Sequence, residues 1–417
     1  MRYVIHRGRD EIGGMCIEVA ADDGTRILLD LGMPLYDVEG ADYPFGAAQL
    51  PADELRQSGV LLDIPGLYAD DPAAPAFAAI ILTHSHLDHY GLAHHAHPVI
   101  PVYGSRGTLA ILELGRVFSP DGALPADLRV LPDGEALHFG ALTVTGISVD
   151  HSAPDSRALL VEGDGQKLIY SGDLRAHGRT GFRFEKLLTD ARLKDADWLL
   201  LEGTTLGAGA GGHGLRREQE VEEALVALAT GEPDKLVAVM ASGQNVDRLV
   251  SCYRAAKRLG RLLVIDPYQA FVEAKLAPLS SSIPQFSWEG VRVNFSPYQV
   301  EKLKVAGMMD LVYEMGRSRA GSDALAAEPG KYLLCARANA GITKLLTHIG
   351  SGAVILVWSM WGGYWKRERS PVRTWAEREG VQAHFIHSGG HAWPEDLERL
   401  LAALQPREHE IVHSAKS

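Results

Sequence analysis

The run AFAAIILTHSHLDHYG (residues 76–91) constrains this chain more than any other segment. Its continuous apolar stretch reads as a buried strand. At its C-terminal end stand His84, His86, Asp88 and His89. Histidines two apart at a strand end project from the same side, while the Asp and His just beyond can fold back in the following turn. Three imidazoles and a carboxylate at one sheet edge are a metal-ligand set. The fold that carries them has to bring further ligands to that edge. Taken alone, the motif also reads as a histidine-rich surface loop.

Isolated partners stand at three other strand ends: His151 in VDHSAPDS, Asp173 in YSGDLR and His413 in EIVHS. Counted as ligands they make two neighbouring sites. His84, His86 and His151 suit one ion, Asp88, His89 and His413 the other, and Asp173 can bridge both. Imidazole and carboxylate ligands without thiolate leave open positions and point to catalytic zinc. The three cysteines, Cys16, Cys252 and Cys335, lie far apart and form no CxxC pair. They support neither a disulfide framework nor a thiolate zinc knuckle. Two dications, two carboxylates and a hydroxide leave about +1 by formal count, a centre that attracts an anionic substrate. A phosphodiester fits that charge better than a neutral ester or lactone.

The first two hundred residues read mainly as β-structure. MCIEVAADDGTRILLDLG has a hairpin pattern, ALTVTGISVDH, QKLIYSGDLR and DADWLLLEGT read as strands, and TLAILELGRVF has helical spacing. A Gly-rich connector, residues 203–214, precedes a helix with an acid-rich first turn, EQEVEEALVALA. KLVAVMAS, VDRLVSCYRAAKRLG and RLLVIDP then form a βαβ unit of an open parallel sheet, continued by KYLLCA and AVILVWS. The end of the chain returns to strand–helix–strand. With 417 residues, two to three structural units are expected. The fold class is α/β, with a first domain over 1–204, an inserted α/β domain over 205–375 and a return over 376–417. The start lacks the apolar core of a secretory signal and no run of 18 apolar residues occurs, so the expected location is cytoplasmic, without membrane contact.

HSHLDH together with His151, Asp173 and Asp30 in LLDLGMP resembles the metallo-β-lactamase superfamily. Glu202 in LLEGT, His391 in HSGGH and His413 in IVH resemble the extra motifs of its β-CASP nuclease branch, which includes ribonuclease J and the endonuclease of pre-mRNA 3′ ends. The similarity runs from about Gly13 to His413. It implies an αββα sandwich with an inserted β-CASP domain capping the metal cleft, and two zinc ions, with manganese or magnesium as alternatives. It also implies hydrolysis of RNA to 5′-phosphate and 3′-hydroxyl ends. The catalytic set so implied is His391, Glu202, Asp30 and Asp88. Asp30 reads as orienting a ligand histidine or as a strand-ending surface carboxylate, and Glu202 with His391 as a general acid for the leaving oxygen or as an ordinary salt bridge. Two departures stand out: HSGGH in place of H-x-SGH, and VHSAKS in place of VHGE. The chain also stops four residues after His413, short of the C-terminal domain with which many ribonucleases J dimerise. Oligomeric state stays open, a homodimer included.

The formal charge of −12 argues against bulk electrostatic capture of nucleic acid. Eight acids between 37 and 73 carry more than half of it, and local basic stretches occur at Arg254, Lys257, Arg258 and Arg261, and at Lys366, Arg367, Arg369 and Arg373. Each reads first as a solvated face; on the nuclease reading, Arg254 and Lys257 are candidate RNA contacts. His94, His95 and His97 match no ligand position and read as solvated. The SGQN turn (Ser242 to Asn245) is either a phosphate seat or an ordinary βαβ turn. WSMWGGYWKRER can stack bases, or Trp358, Trp361 and Trp365 can pack an interface. RNA is the expected partner, with single-stranded DNA as the alternative. A small anionic or acyl substrate, or a non-catalytic interaction subunit, are the competing classes.

Overall fold

The computed structural model describes residues 1–37, 39–44, 46–118, 123–206, 214–367 and 370–415. Arg369 and residues 207–213 of the Gly-rich connector lie outside the described residues. The chain divides into two compact units, one of Met1–Ala176, Thr180–Ala210 and Gly390–Ser417, the other of His177–Arg179 and Gly211–Gly389.

The first unit holds two six-stranded sheets. In one, Arg2–Arg7, Cys16–Ala20 and Arg26–Leu29 run antiparallel, and Ala79–Ile81, Val102–Gly104 and Leu128–Val130 continue in parallel. In the other, Ala136–Phe139, Leu142–Ser148, Arg157–Gly163 and Gln166–Tyr170 run antiparallel, followed in parallel by Trp198–Glu202 and Glu408–Val412. The period-two alternation of side chains sorts these strands into layers. Ile27 and Leu29 share one buried cluster with Val144, Leu159, Val161, Leu168 and Leu200 of the other sheet. Leu28 and Ile80, on the opposite face, pack with Leu55 and Leu112 from helices. Leu160, Ile169, Leu199 and Leu201 pack with Phe184, Leu397, Leu400 and Leu404, again helical. The order helix, sheet, sheet, helix is the expected αββα sandwich.

The second unit has one six-stranded sheet, and every pairing in it is parallel. Its central strands Leu236–Met240, Tyr332–Ala336 and Val354–Trp358 are buried at every position, which is why they read as unbroken apolar runs. The C-terminal return over 376–417 divides differently from the expectation. Residues up to Gly389 stay in the second unit, because Ala383–Phe385 adds to its sheet beside Val354–Trp358. Only the helix Pro394–Leu404 and the strand Glu408–Val412 rejoin the first. No helix among the described residues is long and apolar enough to cross a membrane.

Two surface expectations are corrected. Arg261 is buried, and its guanidinium donates to the carbonyls of Ala229, Glu232, Pro233, Lys235 and Tyr332. It ties a loop to a strand and is not part of a solvated basic face. His94, His95 and His97 are half-buried, His95 facing the Ala48 carbonyl at 2.8 Å.

Candidate metal centre

All seven expected ligands of the first unit converge. His84, His86, His151 and Asp173 place ligand atoms within 4.8 Å of one another, as do Asp88, His89 and His413. Asp173 Oδ2 lies 3.6 Å from His84 Nε2, 3.3 Å from His89 Nε2 and 3.9 Å from His151 Nε2, and its Oδ1 lies 3.6 Å from His413 Nδ1. His413 Nε2 approaches Asp88 Oδ2 at 3.2 Å. Ligand bonds of about 2.0–2.2 Å around one ion set donor atoms roughly 3–4 Å apart, so the spacing fits.

Backbone features hold the loops in place. The short helix Leu87–Tyr90 carries Asp88 and His89, and its carbonyls accept from Met15, Leu31 and Met33 amides. That approach needs a glycine at 32, where a Cβ would fall 1.7 Å from the Asp88 oxygen. Asp30 and His413 take the left-handed backbone conformation (φ 58° and 52°), uncommon outside glycine and tolerated best by Asp, Asn and His. Gly172, just before Asp173, is also left-handed, with Thr83 and the Arg157 carbonyl where a side chain would stand.

A shell of hydrogen bonds orients the rings. Asp30 accepts from the Thr83 amide, the Thr83 hydroxyl and the Tyr170 hydroxyl, and faces His89 Nδ1 at 2.8 Å. His151 Nδ1 donates to the Gly390 carbonyl at 2.6 Å, and His413 Nδ1 pairs with the Thr204 hydroxyl at 2.8 Å. These contacts leave Nε2 of each ring directed inward. Sequence reasoning found Asp30 but missed Thr83, Tyr170 and Thr204. It also missed the fully buried Arg175–Asp150 pair, which joins the residue before His151 to the segment after Asp173. Thr83 and Asp150 adjoin candidate ligands in the sequence, whereas Thr204 reaches His413 across 209 residues.

Two observations fit a cation. His84 Nε2, His89 Nε2, Asp173 Oδ1 and His391 Nδ1 are buried and make no hydrogen bond; buried polar atoms ordinarily have a partner. The chemistry of the set agrees. Burial holds the His84 and His151 imidazoles well below their ordinary pKa and His86 down at about 4, so these rings are neutral and free to ligate. Burial also lowers His89, but Asp173 and Asp30 outweigh it and raise the ring well above its usual range. Asp88 and Asp173 are pushed down despite burial, because His413 and His89 stand beside them.

His391 and Glu202 sit at the rim. His391 Nδ1 is 3.4 Å from Glu202 Oε2 and 3.8 Å from Asp173 Oδ2, an ion-pair approach without a well-formed hydrogen bond. Glu202 is fixed by the amides of Ala392 and Thr204. The His391 side chain is 26% exposed where His84, His89 and His151 are 0%. Burial lowers its pKa, but Glu202 and Asp173 more than compensate and raise it to about 9.

In the second unit, the SGQN turn is an ordinary helix start: Asn245 caps the Arg248 amide with its own side chain. Trp358 belongs to that unit's core.

Comparison with known proteins agrees with this geometry. Residues 56–239 match the beta-lactamase superfamily domain. The chain is similar to ribonuclease J of Sinorhizobium meliloti, 26% identical over 199 residues (45% of this chain, 33% of the relative). It is 31% identical to a ribonuclease of Thermus thermophilus over 225 residues, 49% of this chain and 44% of the relative. Ribonuclease J of Mycobacterium tuberculosis is 29% identical over 220 residues, 49% and 37%. The chain thus spans from a third to under half of the length of these relatives. A crystal structure of a protein of unknown function from Enterococcus faecalis V583 shares the fold, with TM-score 0.75 and 20% identity over 99% of this chain and 93% of that one.

Proposed function

From a chain that carries a metallo-β-lactamase domain and resembles the ribonucleases J of the β-CASP branch, we propose a metal-dependent phosphodiesterase acting on RNA, holding two zinc-class ions and leaving 5′-phosphate and 3′-hydroxyl ends. The observation that carries this reading is the convergence of seven imidazole and carboxylate side chains, three of which (His84, His89 and Asp173) turn in a buried atom that makes no hydrogen bond. His84, His86 and His151 would hold one ion, Asp88, His89 and His413 the other, and Asp173 would reach both. When bound, divalent ions supply Lewis acidity and lower the pKa of a water.

The chain's own groups do the rest. Asp30 keeps His89 in one tautomer and one orientation. His391, like His86, is a ring of the cluster that reaches solvent, and the carboxylate of Glu202 at its Nδ1 favours the protonated form. That leaves Nε2 to give a proton to a departing 3′-oxygen. The relatives named ribonucleases support RNA as the substrate class.

The test is incubation of metal-loaded protein with end-labelled single-stranded RNA and DNA carrying either a 5′-monophosphate or a 5′-hydroxyl. Cleavage of RNA to 5′-phosphate fragments is expected. Cleavage of DNA alone would move the substrate class, and no hydrolysis of either by fully loaded protein would contradict the reading.

A further inference from the structure

The second unit carries an aromatic patch that the metal centre does not use. Three of the chain's seven tryptophans lie within eight residues, Trp358, Trp361 and Trp365, with Tyr364 among them. The structure divides them by role. Trp358 is 2% exposed and packs in the core. Trp361, Tyr364 and Phe385 are 47%, 40% and 57% exposed.

Ring contacts gather them into two groups, tied together by a hydrogen bond from Trp358 to the Trp361 backbone. Trp365 packs edge-on against both Trp358 (5.1 Å) and Phe385 (5.6 Å), and Trp361 against Tyr364 (5.5 Å, 89°). The Trp358 indole donates to the Trp361 carbonyl. The Trp361 ring lies over Gly363, where a Cβ would fall 2.0 Å from it. The Trp361 indole is therefore folded down onto its own helix turn. The patch lies at the carboxyl ends of Val354–Trp358 and Ala383–Phe385, neighbours in a parallel sheet, where open α/β sheets take their ligands.

Charge selects the occupant. In a chain of net charge −12, residues 351–375 hold Lys366, Arg367, Arg369 and Arg373 against Glu368, with Arg373 paired to Glu377 beyond them. The Arg367 guanidinium lies 4.4 Å over the Tyr364 ring. Exposed flat rings beside cations suit a polyanion with π-faced groups, and exposed apolar patches of this kind mark binding surfaces.

We infer that Trp361, Tyr364 and Phe385 form a stacking platform for the bases of single-stranded RNA, with Lys366 and Arg367 on its phosphates. The inference rests on the ribonuclease reading and adds to it a substrate-holding surface on the second unit. Base–aromatic stacking tolerates any sequence, so the platform grips unpaired strands without reading them, and a duplex, whose bases are already stacked, gains little from it.

The experiment measures binding of a fluorescent 2′-O-methyl single-stranded RNA, which resists cleavage, to the metal-loaded full chain. Trp361→Ala, Tyr364→Ala and Phe385→Ala are each expected to weaken binding by roughly 5- to 150-fold, with Trp361→Phe retaining most of the affinity. Lys366→Glu with Arg367→Glu is expected to lower the slope of log affinity against log salt by about 1.4. Circular dichroism melts confirm that the variants fold. Unchanged affinity in all three folded ring variants, with RNA still cleaved by the wild type, overturns the platform and leaves the ribonuclease reading standing. A wild type that neither binds nor cleaves RNA overturns both.

Discussion

His89 Nδ1 lies 2.8 Å from Asp30 Oδ2, and both side chains are fully buried. The contact leaves the ring one free nitrogen, Nε2, which faces Asp173 at 3.3 Å. Asp30 can accept from four donors at once only as a carboxylate.

Asp30→Asn keeps the size and the tolerance for a left-handed backbone, but turns an amide nitrogen toward those donors. Metal affinity is expected to fall about 10- to 100-fold. Competition against a chromophoric chelator measures it; unchanged affinity would reduce Asp30 to a packing residue.

His391→Ala is expected to slow cleavage of a normal diester by on the order of 10²–10⁴-fold, because an alkoxide leaves poorly without a proton. A substrate with sulfur in place of the bridging 3′-oxygen leaves as a thiolate and needs no acid. On it the variant should recover most of the lost rate. Equal losses on both substrates, at unchanged metal content, would make His391 a substrate-positioning residue.

Glu273, in the helix Pro267–Leu276 of the second unit, is 1% exposed, and its Oε2 has no hydrogen-bond partner. Burial raises its pKa well above the usual carboxylate range. A raised folded-state pKa adds stability at pH below the unfolded value near 4.5, and that stability is lost as pH rises through the folded value. Each tenfold difference in proton affinity is worth about 1.4 kcal/mol. Glu273→Gln should therefore melt at about the wild-type temperature at pH 4 and several degrees higher at pH 8. A difference independent of pH would mean that the carboxyl is solvated or paired.

Arg248 is fully buried and pairs with Glu218 through both Nε and Nη2, while its Nη1 holds the Ser359 carbonyl. Arg248→Met strands a buried carboxylate and is expected to cost about 3–5 kcal/mol in denaturant unfolding. Arg248→Met combined with Glu218→Met should cost less than the single change. A double variant worse than the single would show that the pair itself stabilises the unit.

The candidate ligands were legible in the sequence because metal chemistry admits few residue types, and the strand end before His84 and His86 announces itself by an apolar run that stops at a polar residue. The alternating and continuous apolar runs likewise separated the sandwich strands from those of the parallel sheet. Contacts made across the fold left no such mark. Tyr170 reaches Asp30 over a separation of 140 residues, and nothing in YSGDLR distinguishes its hydroxyl from any core tyrosine. Arg261 looked like part of a basic face because sequence shows charge and not the five carbonyls that receive it. The strand Ala383–Phe385 looked like part of the return because its partner, Val354–Trp358, is set by tertiary pairing alone.

The central claim is that RNA hydrolysis depends on ions held by the His84–His413 cluster. Elemental analysis paired with RNA cleavage, before chelation, after it and after metal is restored, tests this most directly. The account predicts two zinc-class ions per wild-type chain, activity lost on chelation and regained with metal, and both occupancy and rate severely lowered in Asp173→Ala. Full cleavage by protein stripped to less than one ion per chain would contradict it.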